Sequence, residues 1–447
     1  MSALPPAIKG WCPGALRPML TGDGLLARVR FSGGRLGLDQ AEGIAAAARV
    51  CGNGIIEISS RGNLQLRGVT EAALPDLQAR LAEQGLLDAE PGVERLRNIV
   101  ASPLSDIDPE AAIDVAPIVA ALEARLASDA ALRALPAKFS WVVDAGGRLP
   151  LGDVDADVRF EASGAGLVVR LPTASSTASL SVMAGLDPAI QTHPRLSQQL
   201  LDGRVEPRYD VGAVANAIAH AFLTLAGAGP GAPRRMRALV ARDGAAAVFA
   251  AAGLAAETDP TPARKISPRD VIGPLTFPDQ TCLGAAPPFG RTEASAFAGL
   301  VRAARRHGAG GLRLTPWRAL IAIGLDVGGA ANLSDDLAAL GFIVAPDDPR
   351  LAIVACPGAP ACAHASADTT AAARALAEEL IDPRGIVLHV SGCSKGCARA
   401  SATPLTLVAR PEGYDLILSG RAGDAPTHRA LSLSDAAALI RTLGPVA

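Results

Sequence analysis

The chain has 447 residues, enough for several domains or one large duplicated unit, and is 49% apolar but only 3% aromatic because alanine and glycine carry the apolar total. A net charge of −2 gives no overall basic field, so no nucleic-acid partner is expected. The opening MSALPPAIKGWCPG has no charged-then-apolar signal pattern, and apolar runs such as 245–256 fall short of the ~20 residues a membrane span needs, so a soluble, cytoplasmic protein without a membrane partner is expected.

From the N-terminus, residues 34–68 match residues 290–324 without gaps at a constant offset of 256, with Gly34/Gly290, Arg35/Arg291, Gly52/Gly308 and Gly68/Gly324 among the pairs. Each copy predicts a short turn, an alanine-rich helix (39–51 and 295–307), a glycine turn and a strand. The first strand is expected to run from Ile56 to Arg67, with Glu57, Ser59, Arg61, Asn63, Gln65 and Arg67 on one polar face. A solvated edge strand accounts for that alternation, but so dense a row of hydrogen-bonding groups suits a polyanionic ligand better. Arg97 in RLRNIVASP and Lys138 in LPAKFSWVVDAGG are further cationic candidates, although each alone fits a surface charge equally well.

A second match follows at offset 254, where Ile99–Pro103 pairs with Ile353–Pro357, and Leu122 and Leu126 fall in register with Leu376 and Leu380. Ser102 and Asp108 then stand where the later half has Cys356 and Cys362. Helices around 210–226 and 233–256, followed by a Pro-containing linker at 257–268, join the halves. The second strand, Leu312–Arg318, places Arg313, Thr315 and Trp317 on the matching face, while Pro316 leaves the direction of Arg318 open. Two independent tandem domains also fit the length. The absence of the cysteines from one copy instead favours a shared site, where the halves meet about a pseudo-twofold axis.

The strongest chemical signal is Cys356 and Cys362 in CPGAPAC with Cys393 and Cys397 in CSKGC. These C-x5-C and C-x3-C pairs offer four thiolates from two loops, the number a 4Fe-4S cluster needs. Pro357, Gly358 and Pro360 keep the first loop out of helix, and Gly392 and Gly396 let the second fold tightly. A four-cysteine zinc site is the main competitor, but structural zinc favours shorter spacings than x5, and disulfides do not suit a chain without secretory features. Cys12, Cys51 and Cys282 read as structural thiols. The six histidines (193, 220, 307, 364, 389, 428) show no paired spacing of the kind a facial triad uses, with His364 and His389 nearest the cysteine loops in sequence.

Together the half-repeat, the cysteine loops, the strand SSRGNLQ, the RN-x3-SP turn and the PxKF strand resemble the sulfite/nitrite reductase superfamily over most of the chain. CPGALRPMLTGDGLLARVR and LRLTPWR resemble, more narrowly, its precorrin-3B synthase branch. The resemblance implies an α+β, internally duplicated fold whose pseudo-twofold halves each hold a ferredoxin-like half-domain and a cluster-type α/β domain. The expected divisions are 1–95 and 269–345 for the half-repeats, 96–230 for a cluster-type domain without cysteine ligands, 231–268 for a helical linker and 346–447 for the 4Fe-4S domain.

By the same resemblance Cys356, Cys362, Cys393 and Cys397 hold the cluster, Cys397 matching the ligand that bridges to sirohaem iron in the reductases. Arg61, Arg97 and Lys138 match catalytic cations, and Ser59, Arg61, Asn63, Gln65, Arg67, Arg97, Lys138, Arg313 and Thr315 are the expected substrate contacts. One departure is Ser140, where the reductases have a second active-site lysine. The branch implies an O2-dependent monooxygenase that takes precorrin-3A, hydroxylates C20 and closes a γ-lactone from the ring A acetate onto C1. It further implies electrons from a donor protein or reduced nicotinamide system, and a mononuclear non-haem iron whose ligands the sequence leaves unassigned. A sirohaem-dependent sulfite or nitrite reductase is the alternative; a plain electron carrier would need neither the duplication nor the cationic strands.

Overall fold

A computed structural model describes residues 11–163, 166–172, 179–184, 211–255, 257–259, 264–380 and 387–443. His193 and part of the 257–268 linker lie outside the described residues. The N-terminal copy runs β1 (Met19–Thr21), β2 (Gly24–Val29), β3 (Arg35–Leu36), α1 (Leu38–Cys51), β4 (Ile55–Ile58), β5 (Leu64–Val69) and α2 (Leu74–Glu83). An α/β unit follows: β6 (Ile99–Ala101), α3 (Ala116–Ser128), β7 (Trp141–Asp144), β8 (Val158–Ser163), β9 (Gly166–Arg170), β10 (Ser179–Ala184), α4 (Val211–Ala226), α5 (Met236–Asp243), α6 (Ala245–Ala251) and β11 (Glu257–Asp259).

The second copy repeats the plan with β12 (Gly273–Thr276), β13 (Thr281–Ala285), β14 (Arg291–Glu293), α7 (Ala294–Arg306), β15 (Gly311–Leu314), β16 (Leu320–Leu325) and α8 (Val327–Ala339). The chain ends with β17 (Ile353–Ala355), α9 (Thr369–Ala377), β18 (Leu388–Ser391), β19 (Thr403–Arg410), β20 (Gly413–Gly420), β21 (His428–Leu431) and α10 (Leu433–Leu443).

The two copies exchange strands. One sheet has the order β1-β2-β5-β4-β14 and the other β12-β13-β16-β15-β3, so each borrows an edge strand from the other copy. The homologous helices α1 and α7 pack together, and apolar residues of both copies form one continuous core. The repeated glycines sit at the crossing. A Cβ on Gly34 would lie 2.5 Å from the Leu314 carbonyl oxygen, and one on Gly290 would lie 3.0 Å from that of Ile58, the residue 256 positions before Leu314. Both glycines have positive φ (71° and 77°), a conformation that side chains with a Cβ rarely adopt.

Each half continues into an α/β unit with a parallel start. β6, β7 and β8 run parallel in the first, as do β17, β18 and β19 in the last. Leu122 and Leu376, matched in the sequence, are both fully buried. The expected helix over 233–256 is two helices instead, broken at Gly244, whose φ is 84°. Their apolar residues Met236, Leu239, Val248 and Phe249 join the core of the first α/β unit. Among the described residues, no helix is long and apolar enough to cross a membrane.

The polar strand expected from Ile56 to Arg67 is a hairpin. After Ile58 the chain turns, with the Gly62 N–H donating to the Ser59 carbonyl, and the Ser59 hydroxyl accepting from the Arg61 and Asn63 N–H groups. Five alternating residues became a turn because Gly62 takes a φ of 62° and Ser59 supplies the acceptor. The second strand likewise stops at Leu314: Thr315 N–H and Oγ1 both donate to the Ala319 carbonyl, and Arg318 takes a φ of 59°.

Candidate functional site

Cys356 follows β17 and Cys393 follows β18, so the parallel pair delivers both cysteine loops to one end of the sheet. Cys356 is buried, Cys362 and Cys393 are partly so, and Cys397 is exposed. Although the residue is exposed at the surface, desolvation by the surrounding loops pushes the Cys397 thiol up, Lys395 opposes this, and Cys393, Cys356 and Cys362 raise it further, so the other three thiols lie within electrostatic reach of Cys397. The Gly392 N–H donates to Cys356 Sγ at 3.1 Å, and the Thr369 hydroxyl fixes the Cys356 carbonyl. Yet among the described residues no three of His, Cys, Asp and Glu converge closely enough to hold a single metal ion. Four soft donors on two loops, with a backbone N–H aimed at one sulfur, suit an iron–sulfur group.

The first sheet grips the first of these loops. Gly22 N–H and Arg67 Nη2 both donate to the Ala361 carbonyl, at 3.2 and 2.8 Å, and Arg291 Nη1 donates to that of Pro357 at 3.3 Å. A Cβ on Gly22 would meet the Ala363 nitrogen at 2.7 Å, so only glycine permits this approach. Arg67 is itself buried and held by Asp23 at 2.8 Å and Glu57 at 3.4 Å. Burial raises the Asp23 carboxyl, but the hydrogen bond and charge of Arg67 outweigh it and hold it below its usual value.

The equivalent loops of the first half are closed by hydrogen bonds. Ser102 donates to Asp144 at 3.1 Å and accepts from the Ala145 N–H at 2.9 Å. Asp108 takes the Arg148 N–H at 2.6 Å and leaves no room for a Cβ on Gly147. Serine and aspartate thus fill internally the position that the thiols keep open in the other half.

Across the polar face of the first sheet, Arg28, Gln65, Glu57 and Arg291 stand in one row set by register. Gln65 accepts from Arg28 at 2.7 Å and donates to Glu57 at 2.9 Å. Beyond the row, Arg61 Nη1 and Arg30 Nε and Nη1 are buried without a hydrogen-bond partner, although Arg30 Nη1 is ion-paired with the buried Glu94 at 3.6 Å. Burial, followed by the neighbouring Arg235, lowers the Arg61 pKa; burial also lowers that of Arg30 and, with Arg30 beside it, brings Arg28 to about 10. Cys12 lies within electrostatic reach of all three arginines. Unpaired buried guanidinium donors are costly, and a bound anion relieves that cost.

The other expected contacts are differently placed. Arg97 is paired with Asp88 at 2.7 Å and Glu123 at 3.1 Å, and Arg313 with Asp106 at 3.0 Å. The hydroxyls of Ser59 and Thr315 serve their turns, Asn63 is buried, and Lys138 is exposed. Ser140 is fully buried: its N–H donates to Asp157 at 3.0 Å, and Asp157 in turn binds Arg235. His364 is exposed, whereas His389 is fully buried with both ring nitrogens unpartnered. Burial first, then Arg399 and Arg318, brings the His389 pKa down to about 4. Among the described residues no three of His, Cys, Asp and Glu stand together as ligands for a mononuclear iron. Sequence reasoning missed Arg28 and Arg30, although their alternate spacing in ARVR was a usable signal. A cavity of about 350 Å³ lined by Arg95, Arg133, Phe222 and Arg234 lies on the first α/β unit and contains none of the cysteines.

The nitrite/sulfite reductase ferredoxin-like half domain matches residues 17–84 and again 278–340, covering the two strand-exchanging copies. The structure of the Mycobacterium tuberculosis NirA protein superposes with a TM-score of 0.69 over 94% of this chain and 80% of that one, at 19% identity. Fold and repeat together define a protein of the sulfite/nitrite reductase superfamily. A ferredoxin–nitrite reductase of Synechococcus elongatus is 26% identical over 91% of this chain and 82% of its own length. A precorrin-3B synthase of Sinorhizobium sp is 35% identical over 94% of this chain and 84% of its own length. The chain belongs to the precorrin-3B synthase family, and its relatives are enzymes of the oxidoreductase type.

Proposed function

We propose that the chain acts in cobalamin biosynthesis as a precorrin-3B synthase. The match to the Sinorhizobium enzyme along nearly the whole chain carries this reading. In the reaction one oxygen atom of O2 becomes the C20 hydroxyl of precorrin-3A, and the ring A acetate closes onto C1. The other oxygen atom leaves as water with two electrons and two protons from an external reductant, a donor protein or reduced nicotinamide system.

Cys356, Cys362, Cys393 and Cys397 would hold a 4Fe-4S cluster, which supplies one-electron transfer when bound. The residues around it bind and orient. Arg30 and Arg61 present partly unpaired donors to the carboxylates of the tetrapyrrole, and the Arg28–Gln65–Glu57–Arg291 row stiffens the surface beside them. Arg97, carrying two carboxylates, and Arg67, locked to the cysteine loop, position their neighbours. Ser140 supports the same reading against a sulfite or nitrite reductase. Where those enzymes have a lysine, this chain builds a Ser140–Asp157–Arg235 link behind Arg61.

The test is anaerobic purification with iron counting and EPR, then turnover of precorrin-3A under labelled O2. Label in the new hydroxyl, located by mass spectrometry, is expected. Label entering only from water, or sustained sulfite reduction after sirohaem reconstitution, would overturn the reading. Serine at any of the four cluster cysteines should abolish the cluster signal, whereas Cys51→Ser and Cys282→Ser should keep it.

A further inference from the structure

We propose that Arg318 is a positioning residue for the second cysteine loop and sets the reduction potential of the cluster there; the inference rests on the cluster reading above. Arg318 takes a left-handed φ of 59° at the hairpin turn after β15. The repeat shows what that position ordinarily uses. Its counterpart 256 residues earlier is Gly62, at a φ of 62°. Glycine occupies this conformation freely, so an arginine here bears backbone strain that the first copy avoids.

The strain is matched by contacts only a long cation makes. Arg318 Nη2 donates to the carbonyl of Ala398, next to Cys397, at 3.0 Å. The guanidinium lies within electrostatic reach of Cys356, Glu57 and His389, so it addresses both cysteine loops. Room for its stem comes from Gly290, where a Cβ would stand 3.1 Å from Arg318 Cδ. Nothing equivalent is possible in the first copy, where the turn carries glycine and the facing loops lack thiols. A fixed positive charge beside a thiolate-held cluster favours its more negative, reduced state and raises its potential.

The experiment compares wild type with Arg318→Lys, Arg318→Gln and Arg318→Gly, purified anaerobically. Iron content, the EPR-monitored midpoint potential and amide exchange over 393–400 are measured. Arg318→Gly suits the turn and so separates loss of charge from backbone misfolding. The glutamine and glycine variants should show a more negative midpoint and loop exchange faster by roughly tenfold. The lysine variant, which keeps the charge, should restore most of the potential. An intact cluster with the wild-type potential and loop protection in both neutral variants would overturn the proposal alone. A wild-type protein that binds no iron would overturn the cluster reading, and this inference with it.

Discussion

Arg61 projects from a tight turn with one guanidinium nitrogen buried and unpartnered, and Arg235 close enough to disfavour its charge further. A carboxylate arriving there gains a charge-assisted contact and relieves an existing penalty. Arg61→Ala should therefore weaken precorrin-3A binding by ~1.5–3 kcal/mol, measured by anaerobic titration, with the iron–sulfur spectrum unchanged. His389 makes the opposite kind of statement. Its pKa is about 4 in the fold against 6.5 when unperturbed, so as pH falls the unfolded chain takes the proton first. Stability is present above the unfolded value and is lost as pH drops toward the folded one. Urea unfolding of the metal-free protein should show a loss of about 2 kcal/mol between roughly pH 7 and pH 5 that His389→Phe removes.

The hairpin turns decide where the site is. Gly62 packs 3.2 Å, at its absent Cβ, from the Leu314 carbonyl, so the two turns meet at the pseudo-twofold crossing. Gly34 bears the same constraint more severely, with a left-handed φ and a backbone oxygen of the other copy at 2.5 Å. Gly34→Ala should destabilise by about 2 kcal/mol or more, because strain and a backbone clash act together. Differential unfolding against a neighbouring exposed substitution, Val50→Ala, would show whether the loss belongs to this crossing.

At the scale of the molecule, strand exchange makes the halves dependent on each other. The second sheet ends in β3 and the first in β14, and Asp106 of the first half holds both Arg35 and Arg313. The second half carries the thiols, but the first supplies Gly22 and Arg67 to their loop. Residues 264–447 expressed alone should therefore aggregate or stay unfolded by size-exclusion chromatography and circular dichroism, and should recover when co-expressed with 1–263. An independently folded, iron-loaded C-terminal half would contradict that dependence.

The sequence by itself determined the duplication, the superfamily and the two cysteine loops, because each is written in fixed spacing: an offset of 256, C-x5-C and C-x3-C. It also marked the helices of both copies within a residue at most ends, since amphipathic periodicity is local. It could not show that the alternating run through Arg61 was a hairpin, because alternation continues through a turn when polar residues happen to fall in step. Nor could it separate arginines with carboxylate partners from those without. Arg30, Arg67 and Arg97 meet Glu94, Asp23, Glu57, Asp88 and Glu123 across the fold, while Arg61 keeps an unpaired buried donor. Whether a charge is spent or free depends on what tertiary structure brings beside it, and spacing along the chain does not encode that.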